Sequence, residues 1–247
     1  MMDDVVLPAE AEPTTSRRNW GDLPRDIGYE IFCRIPHRDI LESAGLVCAS
    51  WRRLAVEEPM LWRHIDIAFD WKEYWVKGRE NEEFLKTPAR PLAMARAAVD
   101  RSAGRCESFR GPVDGPFLLH LATNAPSLRR LHVTSFFRLD KGLVGRVVPK
   151  MTLLERLVLD AGLAIGTTLL AFLDHCPHLQ LLDAGGCYME TRCSSTLLAS
   201  LSQVKVLVLP REELPIHREP TYLCMEEWDY YYWENAEEAH TSAWQIC

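Results

Sequence analysis

Eight cysteines and eight histidines are the side chains of this chain best able to hold a metal or attack a substrate. One stretch brings them close together: His175-Cys176-Pro177-His178, followed by Cys187 and Cys193. Structural zinc takes four convergent ligands at tight spacings, and the sequence contains no paired Cys-x-x-Cys. Cys176 instead falls at a recurring position of a repeat set out below, so no metal is expected. The cysteines are scattered through a chain long enough to build a core without staples, and are read as reduced thiols. Cys48 lies in an apolar helix junction and reads as a small buried hydrophobe, not a nucleophile. Gly-x-Ser-x-Gly, Gly-x-x-x-x-Gly-Lys-Ser/Thr and Gly-x-Gly-x-x-Gly are all absent. These are the local signatures of acyl transfer, phosphate binding and dinucleotide binding. No catalytic residue and no cofactor are therefore expected, and the chemistry to look for is binding.

Charge narrows the partners. The 247 residues carry a formal net charge of -7. Residues 211–247 hold nine acidic residues against Arg211 and Arg218, which accounts for all of it. A neutral body with an acidic tail lacks the basic stripe that nucleic acid requires. No apolar run reaches the length of a membrane span. The start, Met1-Met2-Asp3-Asp4, is acidic and no apolar stretch follows as in a secretory signal, so an intracellular protein of nucleus or cytoplasm is expected.

Several short elements must position any binding surface. Residues 1–19 are rich in Pro, Glu, Ala, Thr and Ser without periodic apolar positions, and are expected to be disordered. Leu23, Ile27 and Ile31 then make one helical stripe, with Pro24 in the first turn and Asp22 as the expected cap. Ile35-Pro36 ends that helix. A second helix is predicted over Arg38–Leu46, with Ile40, Leu41 and Ala44 inward, and a third over Ala49–Val56. Leu61 to Ile67 ends in strand-like alternation. Residues 68–91 read as a linker or insertion, and Leu92–Ser102 as a helix with a small-residue face.

Beyond them the chain repeats. Leu128-Arg-Arg-Leu131-His-Val133 recurs as Leu154-Glu-Arg-Leu157-Val-Leu159, Leu179-Gln-Leu-Leu182-Asp-Ala184 and Val204-Lys-Val-Leu207-Val-Leu209, in steps of 26, 25 and 25 residues. That period and texture are those of leucine-rich repeats, one strand and one helix per unit. Helices are predicted at Phe117–Asn124, Gly142–Lys150, Thr167–His175 and Thr196–Ser202. Cys106 to Phe109 reads as a degenerate earlier unit, and Trp62, Ile65 and Ile67 as the start of the stack. Alternation places Arg130, His132, Thr134, Arg156, Val158, Asp160, Leu181, Asp183, Val206 and Val208 on the inner surface. Of these, Arg130, His132, Arg156, Asp160 and Asp183 are the candidate substrate-binding residues. Residues 92–210 are thus one repeat domain of a mixed α/β chain, and the acidic, aromatic residues 211–247 a tail or cap.

The segment 20–67 adds a resemblance. Leu23-Pro24-x-x-Ile27-x-x-x-Ile31, Arg34-Ile35-Pro36, Ile40-Leu41, Val47-Cys48-x-x-Trp51-Arg52-x-Leu54 and Pro59-x-Leu61-Trp62 resemble an F-box from end to end. With Trp20-Gly21 and Ile65-Asp66 they resemble the plant F-box/leucine-rich-repeat proteins in particular. The resemblance implies a three-helix F-box ahead of a short solenoid. It further implies docking on a Skp-type adaptor, and through it on a cullin, by a non-catalytic substrate receptor of a ubiquitin ligase. The residues it assigns to the adaptor are Leu23, Pro24, Ile27, Ile31, Ile35, Pro36, Ile40, Leu41, Val47, Cys48, Trp51 and Leu54. The repeats depart from the cysteine-containing type: eight residues after each start only Cys187 is a cysteine, with Phe136, Gly162 and Glu212 at the other places. The rival reading keeps the fold and makes the protein a scaffold or inhibitor that binds the adaptor without delivering a substrate.

Overall fold

The computed structural model describes residues 20–67, 89–137, 141–164, 166–189 and 204–208. Among the described residues three short α-helices come first: α1 (Arg25–Phe32), α2 (His37–Glu42) and α3 (Ala49–Glu57). A 3-10 turn, Trp20–Asp22, precedes α1, and Pro24 itself holds the N-cap position with no side-chain cap. Asp22 is therefore not the expected cap: it is spent in the turn before. Pro36 likewise opens α2, which stops at Glu42 and passes into a 3-10 turn at Ala44–Leu46. The long second helix that the apolar spacing predicts is thus split, and Ile40 and Ala44 still point inward from its two pieces.

The remaining elements are strands and helices in turn. Strand β1 (His64–Asp66) is followed by α4 (Ala89–Arg101), β2 (Ser108–Gly111), α5 (Gly115–Asn124) and β3 (Arg130–Phe137). Then come α6 (Lys141–Val147), β4 (Arg156–Ala164), α7 (Gly166–His175), β5 (Leu181–Asp183), β6 (Cys187–Met189) and β7 (Val206–Val208). Helix α4 begins at Ala89, three residues before the expected Leu92, and buries Pro91 in its first turn, where a missing N–H is harmless. Asp114 caps α5 by accepting the Phe117 N–H at 2.7 Å. The helix expected over 196–202, residues 1–19 expected to be disordered, and the tail 211–247 lie outside the described residues.

All strand pairings are parallel, in the order β1-β2-β3-β4-β5-β7, with β6 beside β4. One backbone contact repeats across the sheet. The carbonyl of Arg63 accepts from Glu107 and Ser108, that of Glu107 from Arg129 and Arg130, and that of Arg129 from Glu155 and Arg156. Glu155 accepts from Gln180 and Leu181, and Gln180 from Lys205 and Val206. The 25- and 26-residue steps of the sequence are thus one hydrogen-bond pattern copied from strand to strand. It extends backward to β2 and β1, where the sequence signal is weak. Leu131, Val133, Leu157, Leu159 and Leu182 are buried on the helix side. Burying each such side chain is worth about 1.5–3 kcal/mol.

Candidate functional site

Two surfaces stand out, one on the helical segment and one on the open face of the sheet. The first is built by α1, α3 and the turn after α2. Its framework is apolar and closed: Phe32, Ile40, Leu54 and Ala55 are buried, and Leu41, Ile31, Ile35 and Trp51 pack partly against them. Trp51 stands edge-on to Phe32, ring centroids 5.4 Å apart, and its indole N–H donates to the Trp20 carbonyl at 3.2 Å. Gly28 is held tight under Leu54, so α1 and α3 cross closely.

Above that framework lies apolar surface that no described residue covers. Val47 is 58% exposed and Leu46 68%. Ile27, Trp20, Pro24 and Pro36 are also exposed, and Leu23 and Cys48 half-buried. Leu23, Pro24, Trp51 and Leu54 line a shallow groove between α1 and α3, of about 270 Å³, edged by Arg25, Arg53 and Glu57. Of the twelve residues assigned from the resemblance, Ile40 and Leu54 are buried, Pro24, Ile27, Pro36 and Val47 lie at the surface, and Leu23, Ile31, Ile35, Leu41, Cys48 and Trp51 are half-buried. Leu46 was not among them. Its signal was the run Leu46-Val47 at the end of the 3-10 turn that follows α2, two adjacent large apolar residues that cannot both turn inward.

Trp62 joins this segment to the sheet. It is fully buried, and its indole N–H donates to the Ala55 carbonyl at 2.9 Å. The His37 ring lies 5.3 Å from it on one side, and the Arg101 guanidinium of α4 stands 5.4 Å over it. His37 Nε2 meets the Leu61 carbonyl at 2.9 Å, and Nδ1 faces the Asp66 N–H of β1 at 3.4 Å. One imidazole therefore ties α2 to the first strand.

The open face of the sheet carries two registered rows. His64, Ser108, Arg130, Arg156, Leu181 and Val206 stand side by side in one, and Asp66, Arg110, His132, Val158, Asp183 and Val208 in the other. Of the five residues expected to meet a substrate, the structure brings His132 and Asp160 together: Nε2 and Oδ1 are 2.6 Å apart, with His132 only 2% exposed. Asp183 accepts the Gly185 N–H at 3.0 Å. Arg130 and Arg156 remain half-buried and in register on β3 and β4. Desolvation, then the Arg63 charge, push the His64 pKa down, Arg130 adding to the effect and Glu107 opposing it.

The three buried thiols are held protonated. Burial pushes Cys106, Cys176 and Cys187 up to about 12, far from the thiolate that attacks or binds metal. The Cys176 thiol donates to the Met151 carbonyl at 3.3 Å inside the core. Among the described residues no three His, Cys, Asp or Glu side chains converge on a common point. No described helix is long and apolar enough to cross a membrane.

A compact helical segment with uncovered apolar surface, fused to parallel strand–helix units, has the build of a protein that contacts other proteins. An F-box-like family model matches residues 20–68. F-box/LRR-repeat protein 9 of Arabidopsis thaliana is 31% identical over 190 residues, covering 75% of this chain and 73% of that protein. The chain belongs to the plant F-box/leucine-rich-repeat family. F-box/LRR-repeat protein 23 is 30% identical over 67% of this chain, and F-box protein SKIP19 is 32% identical over 57%, both from the same plant. The matched regions are 34% and 44% of those two proteins.

Proposed function

We propose that the protein is a substrate-recognition subunit of a Skp–cullin–F-box ubiquitin ligase. In this reading residues 20–67 dock on the Skp-type adaptor, and through it on a cullin. The strand–helix units form a short leucine-rich-repeat solenoid whose inner face holds a protein destined for ubiquitination. The observation that carries it is the exposed pair Leu46 and Val47, with Ile27 also exposed, on a segment matched by the F-box-like model. Large apolar side chains kept in water beside a closed core are the mark of a protein-contact site. Membership of a family of F-box/LRR-repeat proteins supports the same reading, and the sequence carries no catalytic motif: the protein would perform no bond chemistry. It would raise the effective concentration of a substrate lysine near a charged conjugating enzyme.

The test is co-expression of the full chain with a Skp-type adaptor, followed by affinity capture and size-exclusion chromatography. A stoichiometric complex, lost in the Leu23→Ala/Pro24→Ala double variant, is the expected result. Capture of adaptor and cullin by that variant at the wild-type level would place the interface elsewhere. Proteasome inhibition should then stabilise a partner held by the repeats; stable partners with unchanged turnover would make the chain a scaffold instead of a receptor.

A further inference from the structure

Resting on the reading of the sheet as the partner-binding half, the open face also defines what kind of partner it takes. Its carboxylates are engaged within the fold. Asp66 pairs with Arg110 at 3.2 Å, Asp160 with His132 at 2.6 Å, and Asp183 with the Gly185 N–H at 3.0 Å. Arg130 and Arg156 differ: they stand opposite one another on β3 and β4, and no ion pair among the described residues uses either. One position earlier, the same two segments set Arg129 against Glu155 in an ion pair. Like charges directly opposite on neighbouring strands are unfavourable, and a ligand that brings negative charge removes that repulsion.

The next two strands are apolar in the same row. Leu181 follows Arg156 in register, and Val206 follows Leu181. Val206 is 50% exposed, and Val158 in the adjoining row is half-buried. A wholly anionic polymer such as nucleic acid would leave this half of the face unused, whereas a peptide can carry both chemistries.

We propose that the inner face binds an acidic–apolar peptide segment of a partner protein, its carboxylates on Arg130 and Arg156 and its apolar side chain on Leu181 and Val206. The spacing follows from the sheet. The centre of the arginine pair lies two strand separations from the centre of the Leu181–Val206 pair, about 10 Å at the usual strand spacing. An extended chain covers that in about three residues. The segment therefore runs across the strands with acidic and apolar positions about three residues apart.

The test uses the full chain purified with its adaptor and fluorescence anisotropy of labelled synthetic peptides. The probe carries two aspartates and, about three residues on, two leucines. Companion peptides replace the aspartates by serine, by lysine or by phosphoserine, or the leucines by serine. The aspartate–leucine peptide should bind, and the serine replacements at either end should bind at least about tenfold more weakly. Arg130→Glu with Arg156→Glu should weaken it by a similar factor and transfer the preference to the lysine peptide, with an unchanged melting temperature. Leu181→Ser should weaken both the aspartate peptide on the native face and the lysine peptide on the reversed one. Aspartate binding no better than the serine control would overturn the inference, as would indifference to the charge reversal or binding of the phosphoserine peptide alone. A preparation that captures the adaptor yet ignores the peptide sinks this inference only; one that captures no adaptor sinks the receptor reading itself.

Discussion

At the scale of single residues, Trp62 and the thiols give the sharpest expectations. Trp62 fills the joint between α3, α4 and β1, and its indole N–H satisfies the Ala55 carbonyl. Trp62→Ala should cost about 3–5 kcal/mol in urea unfolding, the range for deleting a large buried aromatic. Trp62→Phe keeps most of the volume but leaves that carbonyl unpaired, and should cost less, about 1–3 kcal/mol. Burial pushes the thiols of Cys106, Cys176 and Cys187 up to about 12, from an ordinary thiol value of 9.0. Their folded values are raised, so their stabilisation is complete below pH 9 and is lost as pH climbs from 9 toward 12, where the unfolded chain releases protons and the fold does not. Denaturant titrations at pH 8 and pH 10.5 should show the midpoint falling at the higher pH. At pH 8, thiol-directed alkylation followed by mass spectrometry should label exposed Cys33 and leave Cys106, Cys176 and Cys187 unmodified until denaturant is added.

At the scale of elements, the sequence was most legible where period and polarity agreed. The recurrences at Leu128, Leu154 and Leu179 locate β3, β4 and β5, because an apolar alternation repeated at a fixed step leaves one register open to the sheet. The helical segment was legible in its buried half, Ile40 and Leu54, and less so at its ends. Asp22 looked like a cap because side-chain type says nothing about a competing 3-10 turn, and Pro91 looked like a linker residue because proline suits a loop and a first helical turn equally. Strand β6 carried no recurring signature of its own. Its place depends on Gly186, where a methyl group would overlap the Asp160 carbonyl of β4, a contact invisible until the backbone is folded. Gly186→Ala should therefore destabilise by at least about 2 kcal/mol, read as a lower urea midpoint. The surface residues Leu46 and Val47 make the opposite case. Leu46→Asp with Val47→Asp should abolish adaptor capture while leaving the circular-dichroism melting temperature within a degree or two, because neither side chain supports the core. Leu54→Ala should lower that temperature through about 2–5 kcal/mol of lost packing.

At the scale of the whole molecule, the buried side chains form one continuous cluster from Phe32 through Trp62 and Phe117 to Cys187. Helix α2 touches both β1 and α4, and the strand that closes the F-box segment is also the first of the sheet. Unfolding should then be a single transition. Phe32→Ala, at the far end of the cluster, should shift the far-ultraviolet signal and the exposure of Cys176 together; a separate early loss of the helical segment would show two units instead. The part proposed to face the ligase and the part proposed to face the substrate are joined directly, since β1 begins two residues after Trp62 and pairs with β2 of the sheet. A cargo held on this sheet would not sweep a volume of space. It would be presented at one bearing, so the choice of modified lysine would follow from stereochemistry: those lying along that bearing are reached, and equally reactive ones on the far side of the same cargo are passed over.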